Sequence, residues 1–237
     1  MHKYLPELGI AVRITVVIML LTGIIYPLFV TGVAQALFHD RANGSLVTQN
    51  GRVIGSSLIG QQWTSDKYFH GRPSATTDSS GNPDPYNAAS SSASNLGPTN
   101  PALLLAVEQN SDAVRCEDGL PPGPAPLVTP APTTATPAPN ATPAPTPAPC
   151  APVTQTNASR LPVDAVTASG SGLDPDISVD YANLQVARVA TARNLSVDVV
   201  QKLVDDRILD RQFGVLGERR VNVFDLNRAL DGLSQGK

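Results

Sequence analysis

The sequence predicts an α+β protein with one N-terminal transmembrane helix and a small exoplasmic domain. A run of 25 residues, Ile14 to Phe38, contains no charged side chain. Behind it, helical spacings alternate with short apolar runs, which is typical of a mixed α+β domain. A low-complexity tract interrupts this pattern, because 13 of the 22 prolines lie between Pro121 and Pro152. We therefore expect a Pro-rich disordered insert within the domain.

The uncharged run is long enough to cross a membrane. At about 1.5 Å per residue it reaches roughly 37 Å, more than the roughly 30 Å of hydrocarbon, so Pro27 can be accommodated as a kink or a tilt. A cleaved signal peptide is the alternative, since residues 34–36 have the small-x-small pattern of a cleavage site. The length of the run, with Arg13 directly before it, favours an uncleaved anchor. We expect residues 1–13 in the cytoplasm and the soluble domain outside.

Composition limits the partners and the size of the soluble part. The net charge is -3, the pI is about 5.5 and no basic cluster occurs, which argues against nucleic acid as a partner. Without the tract, enough chain remains for one domain of ordinary size. The predicted first half of the domain is 39–115, the insert is 116–157 and the second half is 158–237.

Local signals in the first half predict a hairpin, a loop and a helix. Residues 46–54 contain Asn50-Gly51, which suits the two positive φ values of a type I′ turn. The segment 71–101 is rich in Ser, Asn, Gly and Pro, so we expect a long irregular loop there. Asn100 then caps a helix that should end before Cys116.

The insert carries a possible disulfide. Cys116 and Cys150 are the only cysteines and lie on either side of most of the Pro-rich tract. A bridge between them would close the base of the inserted loop, whereas two unpaired thiols are the alternative. Spacing alone does not decide between the two.

Signals in the second half predict two strands and three helices. Leu161 to Val166 suggests a strand or an extended segment, and a turn then leads to a helix capped by Ser178 or Asp176. Ser196 is in the position of a cap for another helix. Val221 to Val223 suggests a short strand before the last helix.

Motifs for catalysis and for metal binding are missing from the sequence. No Gly-x-x-x-x-Gly-Lys-Ser/Thr loop occurs, and a Ser-His-Asp triad would depend on His70, which nothing marks as a base. Asp174, Asp176 and Asp180 lack the glycine turn and the terminal glutamate of a calcium loop. We interpret them as helix-capping carboxylates, and we expect neither a bound metal nor enzymatic activity of the chain itself.

Several motifs in order resemble the C subunits of the Kdp-type potassium-transporting P-type ATPases. The resemblance covers nearly the whole chain except about 115–160, where that family has a short polar connection. The matching stretches are Tyr26-Pro27-Leu28, Ala42-Asn43-Gly44-Ser45-Leu46, Gly55 to Gln61, Tyr68 to Ala75, Ser94 to Pro101, Val166 to Pro175, Ile177-Ser178, Gln185, Arg188-Val189-Ala190, Ala192-Arg193, Val221-Asn222-Val223, Leu226-Asn227 and Ala229-Leu230-Asp231.

The resemblance implies an accessory subunit in a bacterial or archaeal cell membrane. Its partners would be a channel-like potassium-binding subunit, a P-type ATPase subunit and a small single-span subunit. The family is described as needed for assembly and as a catalytic chaperone that raises the ATP affinity of the pump subunit. An exoplasmic domain cannot reach cytoplasmic ATP, so ATP would be a ligand only as shared with the pump subunit.

Candidate contact residues follow from polarity and size. Arg72, Asn95, Asn100 and Asp174 are polar loop residues that no core needs, so we expect partner contacts there, with turns or caps as the alternative. In the span, the Gly32 and Ala36 pair has the small-x-x-x-small spacing that lets another helix approach closely.

Two other classes of protein remain open from the sequence. An independent anchored surface protein with a Pro/Thr-rich segment is the first alternative, although the tract lies inside the domain pattern and not between anchor and domain. A secreted hydrolase is the second, and it lacks a credible nucleophile and base.

Overall fold

The computed structural model describes residues 5–123 and 160–235. The chain separates into two compact units, Met1–Ser56 and Ser57–Lys237. The predicted disorder of the insert falls mostly on residues 124–159, which lie outside the described residues. The α+β class and the N-terminal helix are confirmed.

The first unit begins with an apolar helix. Its parts are α1 (Leu5–Leu20), a π-helical turn (Leu21–Ile25) and α2 (Tyr26–Leu37). The stretch Glu7–Leu37 is long and apolar enough to cross a membrane, with a mean hydropathy of 2.4. Its side chains are mostly exposed in the isolated chain, as expected of a helix that lipid or another subunit surrounds.

The π-helical turn ends at Ile25, two residues before Pro27. A proline inside a helix lacks an N–H, and its ring clashes with the carbonyl four residues earlier. Here the Tyr26 N–H donates to the Leu21 carbonyl, a spacing of five residues in place of four. A single π turn is a known way to accommodate such a break. The sequence predicted a kink or a tilt, and the structure has a change of helix type.

The rest of the first unit is a short helix and a hairpin. Helix α3 (His39–Ala42) leads to β1 (Leu46–Gln49) and β2 (Arg52–Ser56), which pair antiparallel. Asn50 and Gly51 have φ values of 52° and 76° between Gln49 and Arg52. The predicted turn is confirmed.

The second unit combines a small sheet with helices. Strands β3 (Asp176–Ser178), β4 (Ile208–Leu209) and β5 (Arg220–Asn222) form an antiparallel sheet in the order β3-β5-β4. The described helices of this unit are α4 (Pro101–Glu117), α5 (Val163–Val166), α6 (Val179–Arg193), α7 (Val197–Asp205) and α8 (Val223–Gln235), with one short 3-10 turn at Ala88–Ser90.

The hydrophobic core lies between the sheet and helices α6, α7 and α8. Apolar residues at helical spacing on these helices face one another, which is what amphipathic helices need for stability. Phe69 enters this core from the loop, and Trp63 packs against it. Fully buried aliphatic members include Val189, Val200, Val204, Val221, Leu226 and Leu230.

Two local predictions are wrong. Helix α4 continues through Cys116 to Glu117, and Asp118 and Leu120 beyond it are buried, so the packed part of the first half passes 115. Most of Leu161–Val166 forms the helical turn α5, not a strand. A short apolar run fits either structure, and Ala165 on that turn is buried in the core.

Candidate functional site

The segment from Tyr68 to Arg72 runs through the second unit without regular structure and is held by two buried amides. The Phe69 N–H donates to Asn227 Oδ1 at 2.9 Å, and Asn227 Nδ2 donates to the Phe69 carbonyl at 2.9 Å. In the same way, the His70 N–H donates to Gln185 Oε1 at 2.7 Å, and Gln185 Nε2 donates to the His70 carbonyl at 3.1 Å. Both amide side chains are fully buried. They satisfy backbone groups that a sheet would otherwise satisfy.

Arg188 ties helix α6 to the same segment. Its Nε donates to Asp118 Oδ1 at 2.7 Å, and Nη2 donates to Gln185 Oε1 at 2.7 Å. Its Nη1 donates to the carbonyls of Asp66 and Tyr68 at 3.0 and 3.1 Å. Only 6% of the Arg188 side chain and 2% of the Asp118 side chain are exposed. Burial raises the pKa of Asp118, although the charge of Arg188 acts to lower it.

Arg72 and Asp174, two predicted contact residues, meet each other. Arg72 Nη1 lies 3.2 Å from Asp174 Oδ2, and Nη2 donates to the carbonyls of Thr167 and Ala168 at 3.5 and 3.4 Å. Asp174 Oδ1 also accepts the Asp176 N–H at 3.0 Å. The pair therefore joins the loop of the first half to the glycine-rich stretch of the second half.

Tyr86 fits against the same place through two glycines. A Cβ on Gly60 or on Gly71 would lie 2.3 Å from a Tyr86 atom, closer than any real contact, so only glycine allows this approach. The Tyr86 hydroxyl donates to the Arg72 carbonyl at 2.6 Å, and its N–H donates to Ser74 Oγ at 3.1 Å. Burial, together with the charge of Asp174, raises the pKa of Tyr86 to about 12, against an opposing effect of Arg72.

A cavity of about 320 Å³ opens beside these groups, and Arg72, Trp63, Tyr86 and Tyr181 are among its lining residues. Trp63 Nε1 and Arg72 Nε are buried without a hydrogen-bond partner among the described residues. Buried N–H groups of this kind usually bind water or a ligand.

An acidic side chain and a histidine lie at one wall of the cavity. His70 Nδ1 is 3.1 Å from Glu117 Oε2. Burial acts to raise the pKa of Glu117, but the hydrogen bond and charge of His70, with the charge of Arg188, outweigh it, so the pKa is lowered. His70 is thus engaged in this contact and in one to the Ser65 carbonyl at 3.3 Å.

The acidic residues 174, 176 and 180 are not all helix caps. Asp174 pairs with Arg72, and Asp176 Oδ2 accepts Arg220 Nε at 2.7 Å across the sheet. The sequence predicted Ser178 or Asp176 as the cap of α6. Ser178 is the cap, and its Oγ accepts the Tyr181 N–H at 3.0 Å. The part of the chain that the structure describes contains no group of three or more His, Cys, Asp or Glu side chains arranged for a metal ion.

The other predicted residues lie apart. Asn100 caps α4 by accepting the Ala102 N–H at 2.9 Å, which is the alternative given for it. Asn95 is exposed, with a φ of 52°. Gly32 and Ala36 lie on α2 with open space around Gly32. Contacts of these residues with partners stay predictions.

The disulfide also stays a prediction. Cys116 lies in the last turn of α4. Cys150, the only other cysteine, lies outside the described residues. A bridge there would attach the insert to the buried turn that holds Asp118 and Leu120.

The motifs that meet at this cavity match one protein family. The family model described as "KdpC: K+-transporting ATPase, c chain" matches residues 8–137 and 148–232. The chain belongs to the KdpC family. Within the insert the family model leaves out only residues 138–147, a narrower departure than the predicted 115–160.

Curated KdpC subunits are similar along nearly their whole length. A potassium-transporting ATPase KdpC subunit of Mycobacterium tuberculosis is 46% identical over 232 residues, 98% of this chain and 99% of the relative. Those of Paraburkholderia xenovorans and Methylococcus capsulatus are 46% and 47% identical, covering 93% and 90% of this chain and 94% and 91% of the relatives. This chain is accordingly an accessory subunit of the potassium uptake complex.

Gln185, Arg188 and Asn227 belong to the stretches that resemble the family, but the sequence predicted no role for them. They are the residues that hold the Tyr68–Arg72 segment. A buried polar residue on an otherwise apolar helix face was the available signal, because such a residue needs a partner inside the fold.

Proposed function

We propose that this chain is the non-catalytic accessory subunit of a high-affinity, ATP-driven potassium uptake complex, needed for assembly and stability. The family match over nearly the full chain is the observation that supports this role. The packed site around Arg72 agrees with a binding scaffold, since its polar groups hold loops together.

The proposed partners are a channel-like potassium-binding subunit, a P-type ATPase subunit and a small single-span subunit. The helix Glu7–Leu37 lies in the membrane with its N-terminus in the cytoplasm and the soluble unit outside. Gly32 and Ala36 provide a surface where another helix packs closely. Asn95 is exposed and available for contacts, whereas Arg72 and Asp174 act by fixing the loops.

The proposed effect on ATP affinity is indirect. A soluble unit outside the cell does not touch cytoplasmic nucleotide, so a catalytic chaperone of this topology acts on the pump subunit through its membrane helix or through assembly. The coupling is then a difference in how well this subunit binds two states of the pump.

Purification from the membrane tests the role. The full chain, tagged at its carboxyl terminus, is extracted in mild detergent from potassium-starved cells of its source. We expect a polytopic potassium-binding subunit and a P-type ATPase subunit to accompany it in fixed ratio. Repeated recovery of the chain alone would contradict the proposal and favour an independent anchored surface protein.

A further inference from the structure

The hairpin between β4 and β5 carries an exposed apolar tip, formed by Phe213, Val215 and Leu216. Phe213 is 90% exposed and Val215 is 75% exposed, the highest values among the large apolar side chains that the structure describes. Single exposed apolar residues are ordinary, but three on one turn form a patch of the kind that marks an interaction site.

The tip is closed by backbone pairing and flanked by two ion pairs. Gln212 and Leu216 exchange both backbone hydrogen bonds at 2.9 Å, and the strands below pair Leu209 with Arg220. Arg211 pairs with Glu218, and Arg219 Nε lies 3.1 Å from Asp210 Oδ1. A preorganised loop loses less entropy when it binds.

Phe213 has a backbone conformation that is costly for its type. Its φ is +53°, in the left-handed region, followed by Gly214 at +77°. A non-glycine residue in this region is strained, and a bulky side chain there needs compensation from its surroundings. No ring contact or side-chain hydrogen bond within the described residues offsets this cost, as the ring points into solvent. A contact outside the chain is what would offset it.

Charge at the tip favours a protein over a lipid surface. The residues 210–219 contain two arginines and two carboxylates, which pair with each other and leave no net charge. Segments that bind anionic membranes combine apolar side chains with an excess of Lys and Arg. Apolar anchors inside a polar rim that contains arginine are typical of protein interfaces.

We propose that the apolar tip docks into an apolar pocket on another subunit of the same potassium-transporting ATPase. The inference rests on the proposed function, because it takes its partner from that complex. Phe213 is the central anchor, Val215 and Leu216 fill the space beside it, and the two ion pairs form the rim.

Photocrosslinking in the assembled complex tests the docking. The variant Phe213→p-benzoylphenylalanine, in the full chain, is irradiated in native membranes. Val163→p-benzoylphenylalanine is the matched control, since Val163 is 73% exposed in the same unit. We expect an adduct with another ATPase subunit from position 213 and none from 163. Adducts only with lipid, adducts between two copies of this chain, or equal adducts at both positions would overturn the proposal.

A dissociation measurement provides a second test. Removing the apolar side chains with Phe213→Ser and Val215→Ser should speed the loss of the partner subunits in detergent about tenfold, as burial of such side chains predicts. Val197→Ser with Val199→Ser, at exposed positions of α7, should leave the rate unchanged. A test variant that dissociates at the unmodified rate contradicts the docking. Failure of the unmodified chain to recover any partner would instead contradict the proposed function.

Discussion

Tyr86 and Phe213 are two bulky aromatic residues in left-handed backbone, and their surroundings are opposite. Tyr86 has a φ of 63° and is held by hydrogen bonds to Arg72 and Ser74 and by contact with two glycines. Phe213 has a φ of 53° and meets solvent. The backbone strain of the left-handed conformation is offset by contacts within the fold at Tyr86 and is not offset at Phe213. Strain at Tyr86 therefore indicates packing, and strain at Phe213 indicates binding.

The largest difference between the two regions should come from their ion pairs. Arg188→Ala removes the buried partner of Asp118 and should cost about 3–5 kcal/mol in the free energy of unfolding. Arg211→Ala at the exposed hairpin should change it by less than about 0.5 kcal/mol. Urea unfolding of the full chain in detergent, followed by the fluorescence of the single tryptophan, measures both. Equal losses of unfolding free energy in the two variants would show that burial does not make the Arg188 pair more stabilising than the Arg211 pair.

Asparagine substitutions compare the two aromatic residues directly. Asparagine tolerates the left-handed region, so it relieves the backbone cost at either position. Tyr86→Asn loses the ring contacts and should cost about 3 kcal/mol. Phe213→Asn loses nothing that the fold uses and should leave stability unchanged or slightly raised. The thermal midpoint of each variant reports the result, and a large loss at Phe213 would contradict its role as an outward anchor.

Alkaline pH should destabilise the region around the cavity and leave the hairpin tip unaffected. The pKa of Tyr86 is raised from 10.0 to about 12, so the folded state keeps a proton that the unfolded state releases. Its stabilising contribution is full below pH 10 and is lost as the pH rises from about 10 to about 12, on the order of 3 kcal/mol in all.

Removing the titrating group tests this dependence. With Tyr86→Phe the stability should fall less steeply between pH 10 and 12, whereas Phe213→Asn should keep the unmodified slope. Unfolding curves at several pH values give the slopes. Tyr181 also has its pKa raised by burial, so part of the dependence persists in the Tyr86→Phe variant. An unchanged slope in that variant would contradict the assignment.

Elements with strong local signals were predictable from the sequence. The hairpin turn at Asn50-Gly51, the cap at Asn100 and the apolar helix of the first unit are confirmed, because each depends on neighbouring residues. The structure of Leu161–Val166 was not predictable, since a short apolar segment has no periodicity that distinguishes a strand from a helix.

For the candidate site, the sequence identified some of the residues but not their contacts with one another. Arg72 and Asp174 were selected as polar loop residues, but their pairing joins positions 102 apart in the chain, which no local pattern reveals. The amide contacts of Asn227 with Phe69 span 158 residues for the same reason. Local rules identify residues without a core role, and tertiary packing decides whether they bind one another or a partner.

The π-helical turn divides the apolar helix of the first unit into two parts, α1 and α2, that are out of rotational register with each other. Each residue advances an α-helix by about 100°, so one extra residue in the turn rotates everything after it by that amount relative to an unbroken helix. The residues of α1 that an unbroken helix would align with Gly32 and Ala36 therefore lie on a different face from these two residues. A straight partner helix that packs against a face of α1 would therefore meet a different set of side chains on α2 than it would on an unbroken helix.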